Sequence, residues 1–365
     1  MDLPTSLAWL IDEAGASPDP ERFLAELGRR LLNDGLPLAG GALTLAAPHP
    51  IIARRTWLWR AETGAVIEAL SFVVTTDDRA GHEWLTGLGP VQESTVGSML
   101  DSPVLGWAGT RPFTPAEVGN LDLAARFAAP SLAALSARAG LSALLEAYLG
   151  RRSAARVQAG ALSRGTGETI RAALLCADLR DFTALSEATE PAVMIATLDA
   201  WFDRIAGAVH AFGGEVLKFM GDGVLAIFPV TSTPGIACEA ALLAIASARA
   251  GMDHLDIVRQ GQGLPPLPFG VAVHFGEILW GNIGAADRLD FTAIGPAVNL
   301  VSRLEGLCKV LGHTVLLSGA VAAETSAALI SLGSHPLRGI REPCAVYTLP
   351  DDETAGVGEE RQLDG

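Results

Sequence analysis

From residue 169 onward, apolar residues alternate between short continuous runs and stretches at helical spacing. Residues 170–177 read as a buried strand. Residues 191–212 follow as an amphipathic helix with Ile195, Leu198, Phe202, Ile205, Val209 and Phe212 on one face. Next comes GGEVLKFMGDGVLAIFP, two apolar runs around Asp222 and Gly223, a pattern that predicts a β-hairpin. A helix over 236–258, a strand pair over 268–273 and 277–280, a helix over 296–310 and further short strands complete the series. That order predicts an α+β sandwich across residues 166–350, with helices over a largely antiparallel sheet.

The first part has a different pattern. A helix is expected over residues 20–32, then strands at 42–46, 56–58 and 66–74. Trp9, Trp57, Trp59, Trp84 and Trp107 all lie here, five of the seven tryptophans, and such residues usually build a core. Thr114, Pro115 and Glu117 form a capping box that starts a long helix. Leu132, Leu135, Leu141, Leu144, Leu145 and Leu149 recur near helical spacing, with Gly140 and Gly150 as interruptions. Residues 1–130 are expected to form a separate domain, structural or dimerising when read from pattern alone, and 131–165 a helical connector that is either a packed linker or a dimerising helix.

The chain has 365 residues, 49% of them apolar and 18% charged, enough for two domains with cores of their own. A formal charge of -15 argues against nucleic acid and against anionic membrane as partners. Part of that charge sits in residues 351–365, six acidic side chains against Arg361 alone, which reads as a solvated, disordered tail. Cys176, Cys238, Cys308 and Cys344 are too scattered for a zinc site or a disulfide framework, so a reducing cytoplasm is expected. The start of the chain lacks a basic region followed by an apolar one, as a secretory signal would have. The nearest approach to a membrane span, residues 269–283, is broken by His274, Glu277 and glycines.

Asp178 ends an apolar strand and Asp222 lies in a hairpin tip, places from which two carboxylates can converge on a hard cation. Spacing alone leaves both as ordinary turn formers. Asn299 and Arg303 are four apart, hence on one face of a helix. The backbone amides around Asp181, Phe182 and Thr183 open a helix, where β- and γ-phosphates could be held.

ADLRDFTALSE, GGEVLKFMGDGVLAIFP, FGVAVHFGEILWGNIGAADRLDFTAIGPAVNLVSRLE and LRGIREPCAVYTL, in that order, resemble the catalytic domain of class III adenylate and guanylate cyclases over about residues 165–350. The resemblance implies a ferredoxin-like cyclase sandwich that converts ATP to 3′,5′-cyclic AMP and pyrophosphate. It implies two divalent cations, Mg or Mn, held by Asp178, Asp222 and the carbonyl of Leu179. Asn299 would orient the ribose, Arg303 would stabilise charge on the α-phosphate, and Arg338 would hold the triphosphate where a lysine is usual. Lys218 would read adenine, since a donor suits the N1 acceptor, which favours ATP over GTP. Thr292 falls on the second base-reading position, as in a bacterial subgroup of which some members respond to bicarbonate. Asp181 stands where glycine is common and is expected to face water.

The aspartates would come from one protomer and Lys218, Thr292, Asn299 and Arg303 from its twin, so a homodimer is implied. His274 and Glu277 read as packing and turn residues rather than a general base. The first part, in its order of helix, strands and "FTPAEV" helix, resembles α/β GAF-type sensor domains, which implies a small-molecule effector. The alternatives are a guanylate cyclase, disfavoured by Lys218, and a catalytically silent signalling module, disfavoured because the polar roles are filled. A diguanylate cyclase is discounted, because GGEVL is followed by KFMGDG.

Overall fold

The computed structural model describes residues 3–46, 54–71, 80–96, 102–161, 163–285 and 287–352. It comprises two compact units, Met1–Tyr148 and Leu149–Gly365. The expected strand residues 72–74 and the tail residues 353–365 lie outside the described residues.

The first unit runs α1 (Thr5–Asp12), α2 (Pro20–Asn33), β1 (Leu38–Ala46), β2 (Arg54–Arg60), β3 (Val66–Ser71), α3 (Ala80–Thr86), β4 (Val91–Thr95), β5 (Val104–Gly109) and α4 (Pro115–Leu149). Its strands form an antiparallel sheet in the order β3-β2-β1-β5-β4. Strand alternation sends Leu43, Leu45, Trp57, Trp59, Leu105 and Trp107 to one face, against Phe23 and Leu27 of α2 and Leu121, Leu132 and Leu135 of α4. Ala42, Leu58, Leu85 and Ala108 form a smaller cluster on the opposite face, with α3. The capping box at Thr114 is present: Glu117 N donates to Thr114 Oγ1 and Thr114 N to the Glu117 carboxylate. Helix α4 continues through Pro130 and Gly140, so only Gly150, at φ 79°, breaks it.

The second unit runs α5 (Arg151–Gln158), β6 (Gly167–Leu179), α6 (Phe182–Ala188), α7 (Pro191–Ala211), β7 (Glu215–Met220), β8 (Gly223–Pro229) and α8 (Pro234–Gly261). It continues with β9 (Phe269–Gly284), β10 (Leu289–Ile294), α9 (Pro296–Leu311), β11 (Val315–Ser318), α10 (Gly319–Ala322), β12 (Ile330–His335) and β13 (Cys344–Thr348). The sheet order is β12-β13-β11-β9-β6-β8-β7, with β10 paired to β9. Every pairing is antiparallel except β11 with β9. Strand β6 is central and apolar on both sides. Ala173, Leu175 and Ala177 pack with Trp201, Ile205 and Val209 of α7 and Ile245 of α8. Ala172, Leu174 and Cys176 pack with Val301, Leu304 and Cys308 of α9.

Four details depart from the pattern-based reading. The buried face of α7 is Met194, Thr197, Trp201, Ile205, Ala208 and Val209, while Ile195 is 61% exposed. The hairpin turn is Gly221-Asp222, one residue earlier than expected, because Met220 pairs with Gly223 and Gly221 takes φ 66°. The expected strand pair around His274 is the single strand β9. Asp352, assigned to a solvated tail, is buried and accepts from Val315 N at 2.8 Å and Thr348 Oγ1 at 3.2 Å.

The longest apolar helices are α4 and α8 rather than anything near residues 269–283. Both are long and apolar enough to cross a membrane by length and composition, but each lends a face to a core.

Gly214 leads α7 into the hairpin. A Cβ there would lie 2.7 Å from the Phe228 ring and 2.8 Å from Val209 Cγ1, both in the core. Gly214→Ala is expected to destabilise the chain by about 1–3 kcal/mol through overpacking, measured as a lower midpoint in urea at unchanged slope.

Candidate active site

Strand β6 carries Asp178 to the edge of its buried core, and the β7–β8 turn brings Asp222 beside it. Asp222 Oδ2 accepts from Leu179 N at 3.1 Å, and the Asp222 carbonyl accepts from Trp201 Nε1 at 2.8 Å, so the turn is held from two sides. Asp178 Oδ1 is buried and has no hydrogen-bond partner. Burial, and then the neighbouring Asp222 carboxyl, push the Asp178 carboxyl up to about 8. Two carboxylates are thus confined where one of them resists ionising, which only a cation or a proton can relieve.

The chain after Asp178 turns sharply. Asp181 adopts φ 55°, the left-handed region that glycine enters freely, and Phe182 and Thr183 then begin α6. Asp181 is exposed, as expected, but not merely solvated: Lys309 Nζ of α9 lies 2.6 Å from its Oδ1 and holds its carboxyl below the usual range. Arg180 Nη1 lies 3.3 Å from Oε1 of the buried Glu305, also on α9. Burial raises the Glu305 carboxyl, and Arg180 opposes that shift.

Helix α9 exposes Asn299 and Arg303, whose side chains have no partner among the described residues. Lys218 of β7 and Thr292 of β10 fall in one neighbourhood, joined through Asp290: Lys218 Nζ lies 2.8 Å from Asp290 Oδ2, two residues before Thr292 on the same strand face. Thr292 Oγ1 is buried without a partner. Arg338 lies exposed in the turn after β12, at the opposite end of the sheet from β7. His274 is packing, as expected. Its Nδ1 meets Ser318 Oγ at 2.8 Å, and burial pushes the ring down to about 4. Glu277 is exposed on β9, opposite Arg171.

One chain therefore gathers Asp178, Leu179 and Asp222, and separately Lys218 and Thr292. Asn299, Arg303 and Arg338 are left facing solvent. Motif spacing missed Arg180, Asp290, Glu305 and Lys309. All four stand inside or beside the quoted motifs, but their partners are 72 to 128 residues away in the chain.

Residues 167–349, half of the chain, match the family described as Adenylate and Guanylate cyclase catalytic domain. The chain belongs to that cyclase family. It is similar to Adenylate cyclase 1 of Rhizobium meliloti (strain 1021), 36% identical over 151 residues, or 40% of this chain and 22% of that one. It is also similar to Rv1318c of Mycobacterium tuberculosis (strain ATCC 25618 / H37Rv), 30% identical over 339 residues, or 90% of this chain and 60% of that one. The chain thus spans less than two thirds of the curated relatives it matches. A bacterial light-regulated adenylyl cyclase shares the fold at TM-score 0.54 and 17% identity, over 87% of this chain and 95% of that one.

The carboxylates of this cyclase domain fit a divalent cation. The orphaned Asp178 oxygen lacks the partner a cation would be, and two carboxylates with one carbonyl leave room for phosphate oxygens and water, as magnesium prefers. No group of three or more His, Cys, Asp or Glu side chains suited to a metal occurs among the described residues.

The raised Asp178 carboxyl has a folded-state value near 8 against 3.8 for the unstrained group. The folded metal-free chain then holds a proton that the unfolded chain has lost, so this group subtracts stability as pH rises between those values. Asp178→Asn is expected to melt several degrees above wild type at pH 9 without metal, with the gap closing by pH 5. Added Mn²⁺ should stabilise wild type only. Equal melting curves for both proteins at pH 9 would contradict the crowding.

Proposed function

We propose that the protein is an adenylate cyclase that converts ATP to 3′,5′-cyclic AMP and pyrophosphate at sites shared between two copies of the chain. The observation that carries this reading is the crowded carboxylate pair with a buried, partnerless oxygen, in the chain segments that match the cyclase family. Asp178, Asp222 and the Leu179 carbonyl would hold two Mg or Mn ions. When bound, these lower the pKa of the ribose 3′-hydroxyl and offset charge on the leaving pyrophosphate.

The chain's own groups supply the rest. Backbone amides at Asp181, Phe182 and Thr183 receive the outer phosphates. Arg303 places a permanent positive charge against the α-phosphate oxygens as the pentavalent state forms, and Asn299 fixes the ribose. Arg338 clamps the triphosphate, with bidentate geometry where a lysine would give a point charge. Lys218 donates to adenine N1, and the Thr292 hydroxyl accepts from the amino group.

Sharing between subunits is supported by what one chain leaves undone. Asn299 and Arg303 are exposed and unpaired, and apolar side chains stay exposed around the base-reading strands: Phe219 at 50%, Met220 at 48%, Leu279 and Leu289 at 41%, and Ile294 at 44%. A twofold partner would cover that surface and complete two equal sites.

GTP remains a second reading for one reason. The Thr292 hydroxyl has no partner and can donate to guanine O6 as readily as it accepts. That same hydroxyl is the basis for a bicarbonate response.

The first unit is read as a GAF-like regulatory domain, a reading supported by its helix-flanked antiparallel sheet. A cavity of about 340 Å³ lined by Thr44, Arg54, His82, Glu93 and Thr95 is suited to a small polar effector. Four free cysteines fit a cytoplasmic location.

Purified protein with Mn²⁺ or Mg²⁺ is expected to form cyclic AMP from ATP, with GTP a poor competitor. Asp222→Ala and Arg303→Ala should each abolish activity, and mixing the two should restore about a quarter of it, the share of one good site in half of the dimers. A mixture that dimerises and stays silent would contradict the shared site. Activity unchanged by added bicarbonate at fixed pH would remove the bicarbonate response.

A further inference from the structure

Arg180 and Asp181 follow Asp178 almost directly, and Glu305 and Lys309 lie one turn apart on α9, just beyond Arg303. Two adjacent loop residues thus meet two helix residues with opposite charges in matching order: Arg180 to Glu305 at 3.3 Å and Asp181 to Lys309 at 2.6 Å. The first pair is buried, with side chains 16% and 9% exposed. Its space is made by Gly270, where any Cβ would overlap the Arg180 guanidinium. The second pair is exposed and weak by itself. It nevertheless holds Asp181 in a left-handed conformation that few residues other than glycine adopt.

We propose that this double ion pair is a clamp that fixes α9 to the carboxylate loop of its own chain, and so couples the two active sites of the dimer. The proposal rests on the shared-site reading above. In that reading Asp178 and Asp222 of one chain serve one site, while Asn299 and Arg303 on α9 of the same chain serve the other. The Arg180–Glu305 pair is the buried side-chain bridge between those two halves. Both are positioning residues: each acts by setting where α9 stands, and neither touches the nucleotide. A displacement near 1 Å in a reacting group can cost about a hundred-fold in rate, so a buried brace at this junction has leverage on turnover.

The test uses a mixed dimer. One chain carries Asp178→Ala and Asp222→Ala, the other Asn299→Ala and Arg303→Ala. Only one site then keeps both halves, and its α9 comes from the chain that has lost its own carboxylates. Arg180→Gln is added to that chain, beside the dead carboxylates. The clamp predicts that kcat of the live site falls about ten-fold, with KM for the metal–ATP complex changed much less, and that Arg180→Lys recovers part of the loss. A purely local role for Arg180 leaves kcat unchanged, and that result overturns the clamp. Should Arg180→Gln prevent assembly, Arg180→Gln with Glu305→Gln leaves no lone buried charge and is held to the same two outcomes. A mixed dimer that is silent before any third substitution refutes the shared site itself, and the coupling with it.

Discussion

The second unit is organised around a local electrostatic conflict. Strand β6 is buried on both faces, and its last residues deliver Asp178 to a place where its carboxyl meets that of Asp222 with one oxygen sealed from water. Left alone, such a pair favours a proton on one member. The surrounding fold does not relax the conflict. Leu179 N and Trp201 Nε1 hold the turn in place, and Trp201 is itself wholly buried in the α7 core. A chain that spends this much rigid structure on keeping two anions together has a cation as its natural complement.

That anchoring dictates how closely α9 must approach. The helix packs across β6 and β9, and glycines make the clearance. A Cβ on Gly276 would stand 2.8 Å from that of Ala297, and one on Gly270 would strike Arg180. Gly276, with His274, interrupts the apolar run of β9, so the sequence pattern there resembles two strands with a turn between them. The strand is continuous because Gly276 serves close approach rather than chain reversal.

This difference explains what the sequence could and could not disclose. Elements whose cause is local were legible: α2, α8 and α9 with proline near their starts, the capping box at Thr114, and the hairpin, wrong only by one residue in its turn because Gly221 can supply a left-handed φ as readily as Gly223. The face of α7 was misplaced by one position, since Ile195 is apolar yet Met194 and Thr197 are the buried positions, the latter accepting from Arg259 of α8. Asp178, Asp222, Lys218, Thr292 and the polar residues of α9 were singled out through family resemblance, which preserves motif order. The partners that tune them were not. Asp290, Glu305 and Lys309 meet residues 72, 125 and 128 positions distant, and no spacing rule reaches across a sheet.

The entry into the catalytic unit obeys the same logic of buried charge. Gly150 ends α4, and the next helix, α5, begins on Glu215: Arg152 N, Ser153 N and Ser153 Oγ all donate to that carboxylate, at 3.0, 3.1 and 2.7 Å. An anion at a helix N-terminus is well placed, and Glu215 is only 3% exposed, so the joint is tight. Glu215 is also the first residue of β7, the strand that carries Lys218 and turns at Asp222. A displacement of α5 therefore cannot stay within the connector. To keep three hydrogen bonds on a buried carboxylate, it must pull the start of β7 with it or break them, and either course alters the strand that carries Lys218 and leads into the Asp222 turn.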